Sequence, residues 1–324
     1  YYHLTSAEYT QYGYHTRGRD TASPNGTVPV HSLTATGAET NIDAAYIPKG
    51  TGALLAQVPD GTATGGDKRG TYAVDLQRTR ASSFYVASGA YSVVPGGYDN
   101  GAAGDYSLAG GYSCYSTGNY SVSYGFSSSA SGLHAISLGA NNIASGDTAV
   151  AIGGACIASG DGSFAHGVGA STLGVNGKSS YGALALSGVS TRNGKLLTAA
   201  QTTDSTPTIL TSSTTATPTT ANVSVLDNNS AHGVTAKVTA IDDSTGQLAR
   251  RWIIEGLAKR GATAADTSIV GTPVITDLGG DTGTEGWDVD LVVSTSRGSV
   301  EVQVTGETGS TINWLAKIET EEVR

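Results

Sequence analysis

The side chains able to do chemistry in this chain are few and regularly spaced. Asp105, Asp147 and Asp161 each follow a glycine, and Asn119 falls in the same series. If each period of that series stacks one coil on the next, Asp147 and Asp161 stand about 5 Å apart. That is roughly the carboxyl separation of a retaining glycosidase. The competing reading is stronger, because Asp and Asn after Gly are ordinary turn residues and nothing nearby suggests a pocket. Cys114 and Cys156 fall in one column, three periods apart. At ~4.8 Å per rung they lie about 14 Å apart, beyond the ~7 Å limit for a disulfide. Two free thiols are expected. His3, His15, His31, His134, His166 and His232 never stand two apart, so no histidine metal ladder is expected. No metal or other cofactor has a motif here. Lys68 and Arg69 sit among glycines, but the phosphate-loop pattern is absent. Neither G-x-S-x-G nor H-E-x-x-H occurs, so no catalytic residue and no enzyme activity are expected.

Aromatic residues repeat in the same way. Tyr98, Tyr112 and Phe126 share one column; Tyr106, Tyr120 and His134 share another. Stacked exposed rings are candidates for binding sugar rings, which singles out Tyr98, Tyr112, Phe126, Tyr106 and Tyr120. The alternative is that they pack on one another or on a neighbouring chain.

The elements that position these residues announce themselves through glycine. Gly97, Gly104, Gly111, Gly118, Gly125, Gly132, Gly139, Gly146, Gly153, Gly160, Gly167 and Gly174 follow at seven-residue intervals, and the flanking sequence repeats every fourteen. A coiled coil is excluded, because glycine in each heptad would dismantle the helix. Apolar residues instead alternate with period two: Val122 and Tyr124, Ile136 and Leu138, Val150 and Ile152, with Ser and Ala between them. Two short strands and two glycine corners make one coil of a β-solenoid. Ala and Ser fit its thin interior. The apolar outer columns need a cover, most simply identical stripes from other copies around a rotation axis.

Composition and charge agree. Of 324 residues 45 are glycine, charged residues make up 14%, and there is no methionine. A chain without methionine is expected to be a fragment or processed product lacking an upstream part. Residues 1–200 are nearly balanced, and most of the net charge of -9 falls on residues 201–324. An acidic distal third argues against nucleic-acid partners. No stretch approaches ~18 apolar residues, so no membrane insertion is expected.

The repeat, with SGDTAVAIG at 145–153 and TAVAIGG at 148–154, resembles the head of trimeric autotransporter adhesins, a left-handed parallel β-roll. The match covers about residues 81–177. Bacteriophage tail fibres use the same roll. The run NIDAAYIPKGTGALLAQVPDGTATGGDKRGTYAVDLQ at 41–77 and the opening YYHLTSAEY resemble tail-fibre segments, as do the Trp252–Gly256 strand and the closing I-x-W strand. The resemblance implies a homotrimer located in the virion tail. It implies a host cell-surface receptor, glycan or outer-membrane protein, and other tail or baseplate proteins bound through an upstream part. The expected function is host attachment by multivalent, non-catalytic contact. The alternatives are the passenger of a bacterial trimeric autotransporter adhesin and a tailspike depolymerase. The former needs a C-terminal membrane anchor, whereas this chain ends in IETEEVR.

The expected organisation is all-β. Residues 1–19 hold a short helix capped by Thr5 and Glu8, and 20–80 form a β-rich region. Residues 81–177 form the trimeric left-handed parallel β-roll of 14-residue repeats. Residues 178–205 form a neck or linker, and 206–324 an antiparallel β-sandwich with Trp252, Trp287 and Trp314 in its core.

Overall fold

The computed structural model describes residues 15–20, 28, 30–35, 40, 41, 43, 45–186, 189–213, 217–243 and 247–324. The helix expected around Thr5–Gly13 lies outside the described residues. The chain divides into two compact units, Tyr1–Gly50 and Thr51–Arg324. In the first, His15–Asp20 pairs antiparallel with Val30–Ala35. The expected helical segment 1–19 therefore ends in a strand. Gly18 and Thr16 are weak helix formers, and the partner strand satisfies their backbone groups.

The second unit is all-β, with a β-solenoid of about six turns. Its one described helical piece is the 3-10 turn Ala264–Asp266. Leu108–Tyr112, Val122–Phe126, Ile136–Ala140, Val150–Gly154 and Phe164–Val168 stack as a parallel ladder. Val122 pairs with Ile136, Ile136 with Val150, and Val150 with Phe164, so the fourteen-residue repeat is one coil. A second parallel sheet of two-residue strands, from Gly101–Ala102 to Ile157–Ala158, closes the coil. Between the sheets lie Ala109, Ala130, Ala144, Ala151, Ala158 and Ala165, all fully buried. Small side chains are required because the two sheets converge on one narrow interior.

Glycine is required where coils touch. A Cβ on Gly132 would lie 1.9 Å from the Gly146 carbonyl oxygen. At the other corner Gly125 has φ +130, and its Cβ would lie 2.0 Å from the Gly139 oxygen. Gly174, expected to continue this series, does not. The last coil has one extra residue, pairing Phe164 with Ser179. Val175 therefore takes the stacked position beside Gly160, and Gly174 faces open space in a separate turn.

The ladder also begins upstream of residue 81. Leu54 pairs with Val74, Val74 with Val93, and Val93 with Leu108. These longer coils enclose a polar interior. Arg69 Nε meets Asp75 Oδ2 at 2.6 Å, and Arg80 Nη2 lies 3.9 Å from the same oxygen. Gln77 Nε2 donates to the Tyr85 carbonyl at 2.9 Å. Lys68 and Arg69 thus lie in irregular chain between strands, and Arg69 is turned inward.

Residues 178–205, expected as a neck, are instead two strands. Ser179–Leu186 continues the solenoid ladder on one side and pairs antiparallel with Val189–Thr202 on the other. The sheet then runs through Ile312–Val323, Ser230–Asp242, Ala249–Arg260 and Ser268–Gly280. Strand alternation in 189–202 was hidden because its inward residues include Gly194, Thr198 and Thr202. A second antiparallel sheet holds Asp288–Ser294, Ser299–Thr305, Thr208–Ile209 and Ser224–Val225. Val238, Ile254, Ile318, Val289 and Val302 from the two sheets share one core. All three tryptophans are buried there, with Trp314 ring centroids 5.8 Å from Trp252 and 5.9 Å from Trp287.

Candidate functional site

The aromatic columns form as spaced in the sequence. Tyr98 and Tyr112 stack at 5.3 Å between ring centroids, and Tyr112 and Phe126 at 5.2 Å. Tyr106 and Tyr120 stack at 5.1 Å with ring planes 3° apart, and His134 follows at 4.9 Å. This second column is longer than its fourteen-residue spacing reveals. Tyr91 stacks on Tyr106 at 4.8 Å and Tyr72 on Tyr91 at 5.0 Å. The spacing is that of the β-ladder itself. Tyr72 and Tyr91 escaped the period because their coils are longer. A signal for them existed: Gly70, Gly89, Gly104, Gly118 and Gly132 are each followed two residues later by an aromatic ring.

These rings sit on an unusual backbone. Tyr72, Tyr91, Tyr106, Tyr120 and His134 all have φ between 55 and 58°, and Thr148 has 56°. Non-glycine residues in this left-handed region are strained by roughly 1–2 kcal/mol. Gly162 and Gly177 occupy the same corner in the last two coils, hydrogen-bonded in the same way to Asp147 and Asp161 oxygens. The coil therefore closes with glycine there, and the aromatic choice answers to something besides chain reversal. Stacking returns part of the strain, at about 0.5–1.5 kcal/mol per ring pair. The rings remain open to solvent: Tyr106 is 52% exposed and Tyr120 50%. Inner rings of a stack cover each other's faces, so a ligand meets their edges and phenol oxygens.

The Asp column has a different use. Asp105 Oδ1 accepts the Ala90 N–H at 2.8 Å, Asp147 Oδ1 the Leu133 N–H at 3.0 Å, and Asp161 Oδ1 the Asp147 N–H at 3.0 Å. Asn119 and Asn176 do the same for Asp105 and Asp161. Each side chain reaches back one coil to a backbone donor.

Cys114 and Cys156 are free and buried, in a column with Asn100, Ser128 and Asn142. Asn100 Oδ1 accepts the Cys114 N–H and Asn142 Oδ1 the Cys156 N–H, both at 2.9 Å. These polar residues satisfy the corner backbone inside the coil. His134 ends the long aromatic column, and His166 stacks against Phe164 at 4.6 Å. Among the described residues no group of three or more His, Cys, Asp or Glu could hold a metal ion.

The outer face of the long strands carries Val122, Tyr124, Ile136, Ile152, Phe164 and Tyr181. Tyr124, Ile152, Phe164 and Tyr181 are exposed in the single chain. Ile143 and Ile157 are exposed on the short-strand sheet.

No family model and no curated protein matches this chain. Among solved structures it is similar to the crystal structure of the Acinetobacter phage vB_ApiP_P1 tailspike protein, at 8% sequence identity and a TM-score of 0.17. The alignment covers 78% of this chain and 53% of that one, so the chain spans about half the length of that structure.

Proposed function

We propose that the chain is one subunit of a homotrimeric bacteriophage tail fibre that attaches to a bacterial surface glycan or protein without catalysis. The observation that carries this reading is the solenoid's outer surface. Between residues 108 and 168 its interior admits only Ala, Ser, Cys, Asn and Gly, and the large apolar and aromatic residues of these coils lie outside it, in columns that run from coil to coil. Such columns suit burial against identical columns of parallel copies. The rings left outside that interface offer a repeated edge to a host glycan. The sequence resemblance to tail-fibre segments supplies the trimer and the phage setting.

Attachment through several weak, repeated contacts gains from having three copies per fibre. The Asp column favours a non-catalytic role, since its carboxylates are committed to backbone N–H groups. The solenoid would act as a stiff spacer, and the acidic C-terminal double sheet would present loops to the host.

Two measurements test this. The mass in solution should be three times that of the chain, and a monomer would refute the assembly. The purified protein should compete with phage for adsorption to host cells, and shortening of capsule or lipopolysaccharide on incubation would refute non-catalytic attachment.

A further inference from the structure

We propose that a groove on the outer face of the C-terminal sheet, opening beside Tyr181 and floored at Gly233, binds a non-acidic saccharide chain. The proposal takes the source of its ligand from the attachment reading and adds a contact site apart from the Tyr106–Tyr120 column.

Two rows of outward side chains cross the strands here. One runs His166, Tyr181, Asn193, Glu321, Gly233. The other runs Phe164, Ser179, Lys195, Glu319, Thr235, Glu255. Large residues stop at Phe164 and Tyr181, and polar ones follow. Parallel copies around an axis meet at equal height, so Glu255 and Glu321 would face their own likes beyond that point. The apolar seam therefore ends there and leaves the groove to solvent.

Two adjoining cavities, of about 550 and 210 Å³, make the groove and share Asn193 and Glu319. Together they cross the strands from Ser179 to Glu255, about 19 Å at one strand every 4.8 Å, enough for a chain rather than one ring.

Gly233 is the informative residue. It lies inside the strand Ser230–Asp242, paired on both sides, and nothing in the fold asks for glycine there. Its φ is outside the left-handed region, and a Cβ would meet nothing nearer than 3.8 Å. Gly194 and Gly256, in nearby strands, differ. A Cβ would stand 2.6 Å from Thr320 Oγ1 at the first and 2.8 Å from Leu291 Cδ2 at the second. Glycine weakens a strand and often marks the close approach of a ligand. Here the absent side chain opens the smaller cavity, bordered by Thr235, Glu255 and Glu321.

Tyr181 ends the Phe164–His166–Tyr181 stack. Among the described residues its ring neighbour is His166, at 5.0 Å, and Asn193 is paired on its other side. The ring is 49% exposed, which leaves one face for the apolar face of a sugar. Ser179, Asn193, Lys195 and Thr235 supply donors and acceptors together, as hydroxyl groups require. Glu319 is held by Lys317 at 2.7 Å and Lys195 at 3.5 Å. Lys317 thereby keeps its carboxyl below the ordinary value. The lining sets three glutamates against one lysine, so it repels phosphate and carboxylate groups. An uncharged or amine-bearing saccharide fits, and a uronate- or phosphate-rich one does not.

The test is binding of the full chain to an array of purified bacterial surface polysaccharides, neutral, amine-bearing and acidic. The wild type should bind members of the first two groups. Gly233→Val should raise Tm, because a β-branched residue suits a strand, and weaken that binding at least tenfold. Tyr181→Ala, folded by circular dichroism, should weaken it equally. No saccharide bound, acidic ones alone bound, or binding that either variant leaves unchanged overturns the proposal. A lowered Tm in Gly233→Val overturns the reading of that glycine as dispensable to the fold. Blocked phage adsorption alongside any of these failures leaves the attachment reading standing. Unblocked adsorption with groove binding intact refutes attachment alone.

Discussion

Asp161 Oδ1 accepts the backbone N–H of Asp147 at 3.0 Å, one coil earlier along the ladder. Two carboxylates on adjacent rungs thereby become structural parts: the outer half of one coil is tied to the next. Asn176 performs the same task for Asp161 at 2.9 Å, so an amide oxygen serves as well as a carboxylate. Asp161→Asn should leave thermal stability unchanged. Asp161→Ala leaves the Asp147 N–H to solvent and should destabilise by about 0.5–1.5 kcal/mol, read as a lowered Tm.

Coil contact depends most sharply on glycine. At Gly132 an added methyl would fall 1.9 Å from the Gly146 oxygen, a backbone atom fixed on both sides by the ladder. Gly132→Ala should separate the two coils and cost more than about 3 kcal/mol, beyond the usual range for a point substitution. Gly174→Ala, in open space at φ +74, should cost only the left-handed penalty of roughly 1–2 kcal/mol. Denaturant unfolding of the two variants should show that order.

The aromatic column can be separated from the fold. Tyr120→Asn keeps a residue that tolerates the left-handed region and removes two stacking contacts. Stability should change by less than about 2 kcal/mol, because relief of strain offsets lost stacking. Combined with Tyr106→Asn, it should abolish competition for phage adsorption while the mass in solution stays that of the wild type. Undiminished competition would exclude these rings as receptor contacts.

His232 should make the C-terminal unit acid-sensitive. Burial, reinforced by Lys178, pulls its imidazole down to about 4 from the ordinary 6.5. The unfolded chain therefore binds a proton near pH 6.5 while the folded one does not until near pH 4. Stability falls as pH falls through that window and levels off below it. Glu322, raised to about 7 by burial, works in the opposite sense, losing stability as pH rises from about 4.5 to 7. The difference between wild type and His232→Gln isolates the histidine. The wild type should lose the more stability between pH 6.5 and 4, and parallel curves would refute the assignment.

Much of the solenoid was legible because its rules are local. One coil is fourteen residues, its corners demand glycine, and its inner face demands Ala or Ser, so each rung repeats the same signs. The upstream coils obey the same rules at unequal length. Gly70 and Gly89 make the same close approach, each with its Cβ position 2.1 Å from the next coil's carbonyl oxygen. Only the period was broken, which hid Tyr72 and Tyr91 from a fourteen-residue register. The strand at 189–202 is obscured for another reason: Gly194, Thr198 and Thr202 face the interior beside Leu196 and Ala200, so the hydrophobic alternation that marks a strand is interrupted.

The sequence by itself determined the coil, its small-residue interior, the aromatic columns and the separation of the two cysteines, because rung neighbours are a fixed number of residues apart. Only the tertiary structure decided the partners of Lys178, Arg192, Asp227, His232 and Glu322. Their meeting depends on antiparallel strands that bring the chain's last residues back against the end of the solenoid, and no spacing along the chain encodes which distant charges such a return will bury together.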